Sequence, residues 1–147
     1  MRILNGKNAD ELRRRFTEAF VNTASGYYKT AIREERLCSD GMCYLGYLWD
    51  CMKAPERVTE KRVTDTLSGM EKVYAMWDIN SKDRILIPDY WKYPKRAVLE
   101  LTKDELSAVL PTLPEDVYFF DGSFTWAFAL THEYNDKGGR YCLECGA

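Results

Sequence analysis

The chain has 147 residues, of which 46% are hydrophobic and 30% are charged, and its formal net charge is −2. This length and composition fit one folded domain over 1–147 and exclude a chain that is mostly disordered. A net charge so close to zero gives no general attraction to nucleic acid or to an anionic membrane surface, so we expect neither as a partner.

No apolar run approaches the roughly 20 residues of a membrane helix, and the N-terminus lacks the apolar core of a signal peptide. We therefore predict a cytoplasmic protein. The five cysteines are an odd number in a chain without a secretion signal, which favours reduced thiols over a framework of disulfides.

Helical spacing dominates the N-terminal half of the sequence. Asn8 and Glu11 stand at the spacing of a capping box, which predicts a first helix over about residues 9–24. Three further helices are expected: one over Tyr27–Leu37, one over Met42–Lys53, and one that Thr59 caps and that stops near Gly69.

Strand patterns dominate from residue 72 onward. Four apolar runs predict strands at Lys72–Asp78, Arg84–Ile87, Arg96–Leu101 and Arg140–Cys145. After the third run, Thr102 and Glu105 stand at capping-box spacing, so a short helix is expected there, ending before Pro111.

The segment from Val117 to His132 has the pattern of a β-hairpin that turns at Asp121-Gly122. This turn would place Val117 opposite Trp126. It would also set five apolar side chains on one face of the sheet, with His132 continuing their row: Val117, Phe119, Trp126, Phe128 and Leu130. The whole pattern predicts an α+β fold with N-terminal helices packed on one face of a mixed, mostly antiparallel sheet of about five or six strands.

His132 is the chain's only histidine, and two interpretations of it remain open. As a functional residue it would act as a general base or metal ligand beside Glu133, with Asp121 or Asp78 completing the site. As a structural residue it would end the apolar row at the rim of the core. Adjacent strand residues point to opposite faces, so His132 and Glu133 would share one site only if the strand bulged.

Cys142 and Cys145 have the spacing of half a zinc knuckle, and Cys38 with Cys43 is the only other close pair. On a regular strand Cys142 and Cys145 would point to opposite faces and could not bind one ion, whereas a turn at Leu143-Glu144 would permit it. We predict that the protein holds no metal.

The segment Pro88–Pro94 carries three aromatic residues between two prolines: Tyr90, Trp91 and Tyr93. Such a loop either anchors an interface or folds back over the sheet, and we expect the three residues to bind a partner. Arg13-Arg14-Arg15 could contact phosphates, but consecutive helical residues fan around the helix, so a solvated face is the expected role.

A resemblance to a known family rests on three groups of residues: Trp49 within Tyr47–Asp50, the step from Glu100 to Leu106, and Asp116-Val117-Tyr118 followed by Phe124-Thr125-Trp126 and Thr131-His132-Glu133. With its Trp-x4-Thr-His-Glu ending, the chain resembles an uncharacterised family of small, mostly Firmicute bacterial proteins over about residues 10–135. The resemblance implies a soluble bacterial α+β domain and carries no established activity.

The sequence has no Walker loop, no G-x-G-x-x-G, no G-x-S-x-G and no H-E-x-x-H motif, so we expect no cofactor and favour a non-enzymatic role. We predict a protein-binding module that masks a protein partner, using the aromatic loop and the acidic C-terminal part of the chain. The alternative is a metal-assisted hydrolase or nuclease built on Asp78, Asp121, His132 and Glu133.

Overall fold

The computed structural model describes residues 1–38, 41–80 and 92–146. The strands within these ranges are β1 (Arg2–Leu4), β2 (Arg36–Cys38), β3 (Gly41–Cys43), β4 (Glu56–Val58), β5 (Lys72–Trp77), β6 (Val98–Thr102), β7 (Val117–Phe120), β8 (Trp126–Tyr134) and β9 (Arg140–Gly146). The α-helices are α1 (Gly6–Phe20), α2 (Glu60–Ser68) and α3 (Lys103–Val109). A π-helical turn spans Tyr28–Ile32, and 3-10 helices span Leu48–Cys51 and Leu110–Thr112. The predicted strand Arg84–Ile87 lies outside the described residues.

Seven strands form one sheet in the order β1-β6-β5-β7-β8-β9-β4, and β2 pairs with β3 in a separate two-stranded sheet. Every pairing between these strands is antiparallel. The predicted α+β fold is confirmed. Its main sheet has more strands than expected because β1 and β4, each only three residues long, add one edge strand on either side.

Side chains alternate between the two faces of the main sheet along each strand, and apolar residues are buried on both faces. On the first face, the α1 face, Phe16 and Phe20 of α1 pack with Tyr118 and Phe120 of β7. On the second face, the α2–α3 face, Leu67 of α2 and Leu106 of α3 pack with the alternate strand residues. The expectation that the N-terminal helices share one face is therefore wrong, since α2 packs, together with α3, on the face opposite α1.

The β7–β8 hairpin has a longer turn than predicted. Val117 lies opposite Leu130 rather than Trp126, and Phe120 lies opposite Ala127. The cause is a local turn in which the backbone N–H and the hydroxyl of Ser123 both donate to Asp121 Oδ1, at 2.9 and 2.5 Å. The pairing shifts by an even number of positions, so the predicted common face is confirmed, with Trp126 only partly buried: Val117, Phe119, Trp126, Phe128 and Leu130.

Local capping explains where the helices begin. The side chain of Thr59 accepts a hydrogen bond from Arg62 N at 3.1 Å and starts α2, as predicted. At α3 the predicted capping box is present, and Thr102 N donates to Glu105 Oε1 at 3.0 Å. The first helix differs, because α1 begins after Asn5 and Asn8 lies within it.

The predicted helix Met42–Lys53 is wrong. Its first residues pair with β2 as strand β3, and only Leu48–Cys51 form a short 3-10 helix. The backbone N–H groups of Leu48 and Trp49 donate to side chains of the sheet instead of to carbonyl groups of an α-helix. In place of the predicted helix Tyr27–Leu37, the chain forms the π-helical turn Tyr28–Ile32 and then β2.

Within the three described ranges, no helix is both long enough and apolar enough to cross a membrane.

Candidate functional site

Asp78 is a buried carboxylate directly after β5, with 4% of its surface exposed. The hydroxyl of Tyr44 donates to Oδ1 at 2.6 Å, the hydroxyl of Tyr118 donates to Oδ2 at 2.6 Å, and Leu48 N donates to Oδ1 at 3.0 Å. Burial raises the pKa of Asp78 to about 7, although the three hydrogen bonds favour its charged form. Asp78 therefore ties the segment that follows β3 to the sheet.

Asp116 is a second buried carboxylate, directly before β7. Its Oδ1 accepts hydrogen bonds from Trp49 Nε1 at 3.0 Å and from the backbone N–H of His132 at 3.0 Å. The Nδ1 atom of His132 lies 2.9 Å from the same oxygen. Because a carboxylate offers only acceptors, this contact orients the imidazole with Nε2 on the side away from Asp116.

His132 does not continue the apolar row of β8. Its ring packs against Tyr47 and Trp49, with ring centroids 5.0 and 6.0 Å apart, and both aromatic residues pack on the α1 face. The pairing of β8 with β9 is irregular between Leu130 and Tyr134, which breaks the alternation just before His132. The expectation that His132 ends the Phe128 and Leu130 row is therefore wrong.

The four residues of the hydrolase hypothesis do not converge on one site. Asp78 lies beside Asp116, since Asp78 N donates to the Asp116 carbonyl at 3.2 Å, and this brings Asp78 to the same end of β7 as His132. Asp121 lies at the other end of β7 in the hairpin turn, and Glu133 is exposed. Across the described part of the chain, no three His, Cys, Asp or Glu side chains are grouped so that they could hold a metal ion.

The cysteines of the predicted zinc pair lie on opposite faces of the sheet. Cys142 pairs with Leu130 and packs on the α2–α3 face, whereas Cys145 pairs with Ala127 and packs on the α1 face. Burial raises the pKa of each thiol to about 11. Both are free, as is Cys51, but Cys43 is disulfide-bonded, so the expectation of reduced thiols is wrong for Cys43.

Of the three predicted interface aromatics, only Tyr93 is described, and Tyr90 and Trp91 lie outside the described residues. Tyr93 exposes 9% of its surface, stacks near Trp77 with centroids 5.9 Å apart, and its hydroxyl lies 2.9 Å from Thr112 Oγ1. For Tyr93 the structure agrees with the interpretation in which the segment folds back over the sheet, because its ring packs on the α2–α3 face.

Arg13 was missed as a buried residue. Its guanidinium donates to the carbonyl oxygens of Trp77 at 2.9 Å, Arg96 at 2.9 Å and Ala97 at 3.0 Å. The expectation of a solvated arginine face holds for Arg14 but is wrong for Arg13. Helical spacing offered a signal, because Arg13 follows Ala9 by four residues and precedes Phe16 by three, and both neighbours are buried.

The β2–β3 hairpin presents apolar side chains to solvent. Leu37 and Met42 are directly paired across the two strands, and they expose 81% and 43% of their surfaces. Leu45, two residues after β3, exposes 40%. We call the pair Leu37 and Met42 the hairpin patch. Sequence patterns did not indicate this patch, because its residues lie in segments whose spacing predicts helices.

Comparison of the chain with protein-family models, with curated proteins and with solved structures finds no match. The resemblance to a bacterial family therefore stays a prediction, and the functional argument rests on the geometry of the chain itself.

Proposed function

We propose that the protein is a protein-binding module that contacts its partner through the hairpin patch. The observation that carries this proposal is the exposure of Leu37, which presents 81% of an aliphatic side chain to water directly beside Met42. Single exposed apolar residues are common on protein surfaces, whereas paired ones on a projecting hairpin are typical of binding sites.

The hairpin carries a disulfide-bonded cysteine and is joined to the rest of the protein by backbone hydrogen bonds, as expected of a contact surface that is formed before binding. Cys43 is buried and disulfide-bonded. The backbone N–H groups of Leu45 and Gly46 donate to the Ala31 carbonyl at 2.9 and 3.1 Å, and this joins the end of the hairpin to the π-helical turn. A rigid patch loses little conformational entropy on binding, so its apolar area contributes more of its hydrophobic free energy to affinity.

The partner that this surface fits is a protein with an apolar depression wide enough for Leu37 and Met42. Exposed charged residues of both signs directly precede β2, among them Arg33 and Glu34, so this part of the chain gives no strong preference for an acidic or a basic partner. Masking of a partner protein, in the manner of an immunity protein, is the role we propose for the complex. Tyr90 and Trp91 stay predicted contributors.

The test is co-purification of the tagged protein with its partner from the native host, followed by mass spectrometry. The double variant Leu37→Ser/Met42→Ser should lose a partner that the wild-type protein retains, because the apolar anchors are gone. Ile3→Ser is the matched control, since Ile3 exposes 44% of its surface but lies on the edge strand β1. Equal capture by both variants would refute the proposal.

A second candidate function, hydrolysis or nuclease activity at His132, is favoured by one observation. The buried carboxylate of Asp116 orients the imidazole, as in sites where histidine acts as a general base. Turnover of bis(p-nitrophenyl) phosphate with added Mn²⁺, lost in His132→Gln while the variant keeps wild-type stability, would support this function over the binding role.

A further inference from the structure

A cavity of about 370 Å³ opens on the α1 face of the sheet, between α1 and the π-helical turn. Its floor is apolar and made of four buried side chains from different segments: Ile32, Leu48, Met76 and Ile79. A concave site of this size with an apolar floor and a few polar groups at its wall is typical of small-molecule binding. Neither the hairpin patch nor the Asp116–His132 contact takes part in it.

The wall of the cavity carries more positive than negative charge. Four arginines and three carboxylates line it, which leaves a single net positive charge. Two of the arginines are paired, since Arg14 contacts Glu18 at 2.5 Å and Arg96 contacts Glu35 at 3.1 Å. The other two, Arg13 and Arg33, form no ion pair with any carboxylate in the described part of the chain.

Arg13 is a buried cation that contacts no carboxylate directly, although the charges of Asp78 and Asp10 lie close enough to favour its charged form. Its Nε, Nη1 and Nη2 atoms donate to backbone carbonyl groups, which satisfy its hydrogen bonds but carry no net charge. Burial lowers the pKa of Arg13 to about 10, so it remains charged at neutral pH. Burial is the largest effect on this cation and exceeds the stabilisation from Asp78 and Asp10, so an anion in the adjacent cavity would offset part of the remaining cost.

Arg33 and Tyr28 supply the donors that reach the cavity. Tyr28 begins the π-helical turn, Arg33 directly follows it, and both line the cavity. The Arg33 guanidinium and the Tyr28 hydroxyl make no hydrogen bond to any described residue, so both are available to a ligand. The guanidinium fork matches a carboxylate, which it binds through two parallel hydrogen bonds.

We propose that this cavity binds a small organic monoanion, a carboxylate attached to an apolar body. Arg33 and Tyr28 hold the carboxylate, Arg13 contributes its charge from the wall, and the floor around Ile32 and Ile79 contacts the apolar body. The single net positive charge of the lining selects a monoanion over a dianion such as a phosphate monoester.

The test titrates the full chain with 3-phenylpropanoate while amide chemical shifts are recorded, with 3-phenylpropanamide and 3-phenylpropylammonium as probes of the same apolar body. We expect the carboxylate to shift the amides of Ile32, Arg33 and Ile79 and to bind at least roughly tenfold more tightly than the amide, because it gains charge-assisted hydrogen bonds. Inorganic phosphate should bind more weakly than the carboxylate, since it has no apolar body.

Arg33→Gln is the variant that tests the site, because Arg33 is exposed and its side chain holds no other residue. It should weaken 3-phenylpropanoate binding roughly tenfold, whereas Lys29→Gln, on the π-helical turn but outside the cavity, should leave it unchanged. Equal binding of the three probes, no shifts at ~10 mM carboxylate, or equal effects of the two variants would each overturn the proposal.

Discussion

Asp78 and Asp116 are buried carboxylates that accept hydrogen bonds from the segment after β3, where only a short 3-10 helix forms. Asp78 accepts the backbone N–H of Leu48, and Asp116 accepts the indole N–H of Trp49. Tyr118 adds its hydroxyl oxygen as the acceptor for Trp49 N at 2.9 Å. These three donors thereby find acceptors on the sheet or directly beside it, and a hydrogen-bond partner is the condition for burying a donor.

The raised pKa of Asp78 predicts a pH-dependent stability. The folded-state pKa of about 7 lies above the unfolded value near 4, so the folded state binds more protons between these pH values. The contribution of Asp78 to the free energy of unfolding is therefore greatest below about pH 4 and is lost as pH rises through about 7. In urea unfolding, the free energy of unfolding of the wild type minus that of Asp78→Asn should fall by about 2–4 kcal/mol over this pH range.

Asp121→Asn is the control for this prediction. Burial raises the pKa of Asp121, but hydrogen bonds from Ser123 outweigh this effect and the net pKa is lowered. Its stabilisation is present above its unfolded pKa and is lost only as pH falls below about 4, so its difference from wild type should stay flat between about pH 4 and 7. A flat difference for Asp78→Asn as well would show that Asp78 stays ionised in the folded protein.

Gly146 is predicted to be intolerant of a side chain. Its φ is +90°, and a Cβ there would collide with the Thr125 carbonyl oxygen across the β8–β9 pair. Gly146→Ala should therefore lower the free energy of unfolding by at least about 2 kcal/mol. At Gly122 a Cβ meets nothing within 4 Å, so Gly122→Ala should change stability by less than about 0.5 kcal/mol. Similar chemical denaturation curves for the two variants would show that the β9 end can move away.

At the scale of elements, the longer β7–β8 turn changes which aromatic residue of β8 is central to the core. Phe128 is 1% exposed and lies opposite Phe119, whereas Trp126 is only half-buried and lies opposite Gly146 of β9. We expect Phe128→Ala to cost about 3–5 kcal/mol in urea unfolding and Trp126→Ala to cost less than half of that. A larger loss for Trp126→Ala would support the two-residue turn at Asp121-Gly122.

The placement of the two cysteines on β9 predicts that the protein holds no zinc. A regular strand sends Cys142 and Cys145 to opposite faces of the sheet, so their two thiols cannot bind the same ion. Elemental analysis of the purified protein should find no stoichiometric zinc, and a chelator should leave Tm unchanged. One zinc per chain, removed by the chelator together with a fall in Tm, would contradict this strand geometry.

The elements that the sequence predicts correctly carry their signals locally. Thr59 caps α2, Thr102 with Glu105 caps α3, and the long apolar runs form β5, β7 and β8. The segment Met42–Lys53 has helical spacing, yet its N–H groups bind acceptors some 30 residues or more away in the sequence. No local pattern encodes such partners, so tertiary contacts override the helical spacing.

At the scale of the whole molecule, the candidate sites depend on contacts that only the fold creates. The Asp116–His132 contact needs the irregular pairing of β8, and the cavity needs α1 to bury Arg13 against the sheet. The α+β class follows from the order of patterns, whereas the division of the helices between the two faces does not. The nearly unbroken apolar runs of β5 and β7 mark a sheet buried on both sides, but they do not assign a helix to either face.

If the hairpin patch binds the partner as we propose, the bound partner should cover β2 and β3. Hydrogen exchange measured by mass spectrometry, on the free protein and on the complex purified from the native host, reports this directly. We expect slower exchange in β2 and β3 when the partner is bound, with β1 unchanged. Protection confined to the end of β8 around His132, with β2 and β3 exchanging as in the free protein, would contradict it.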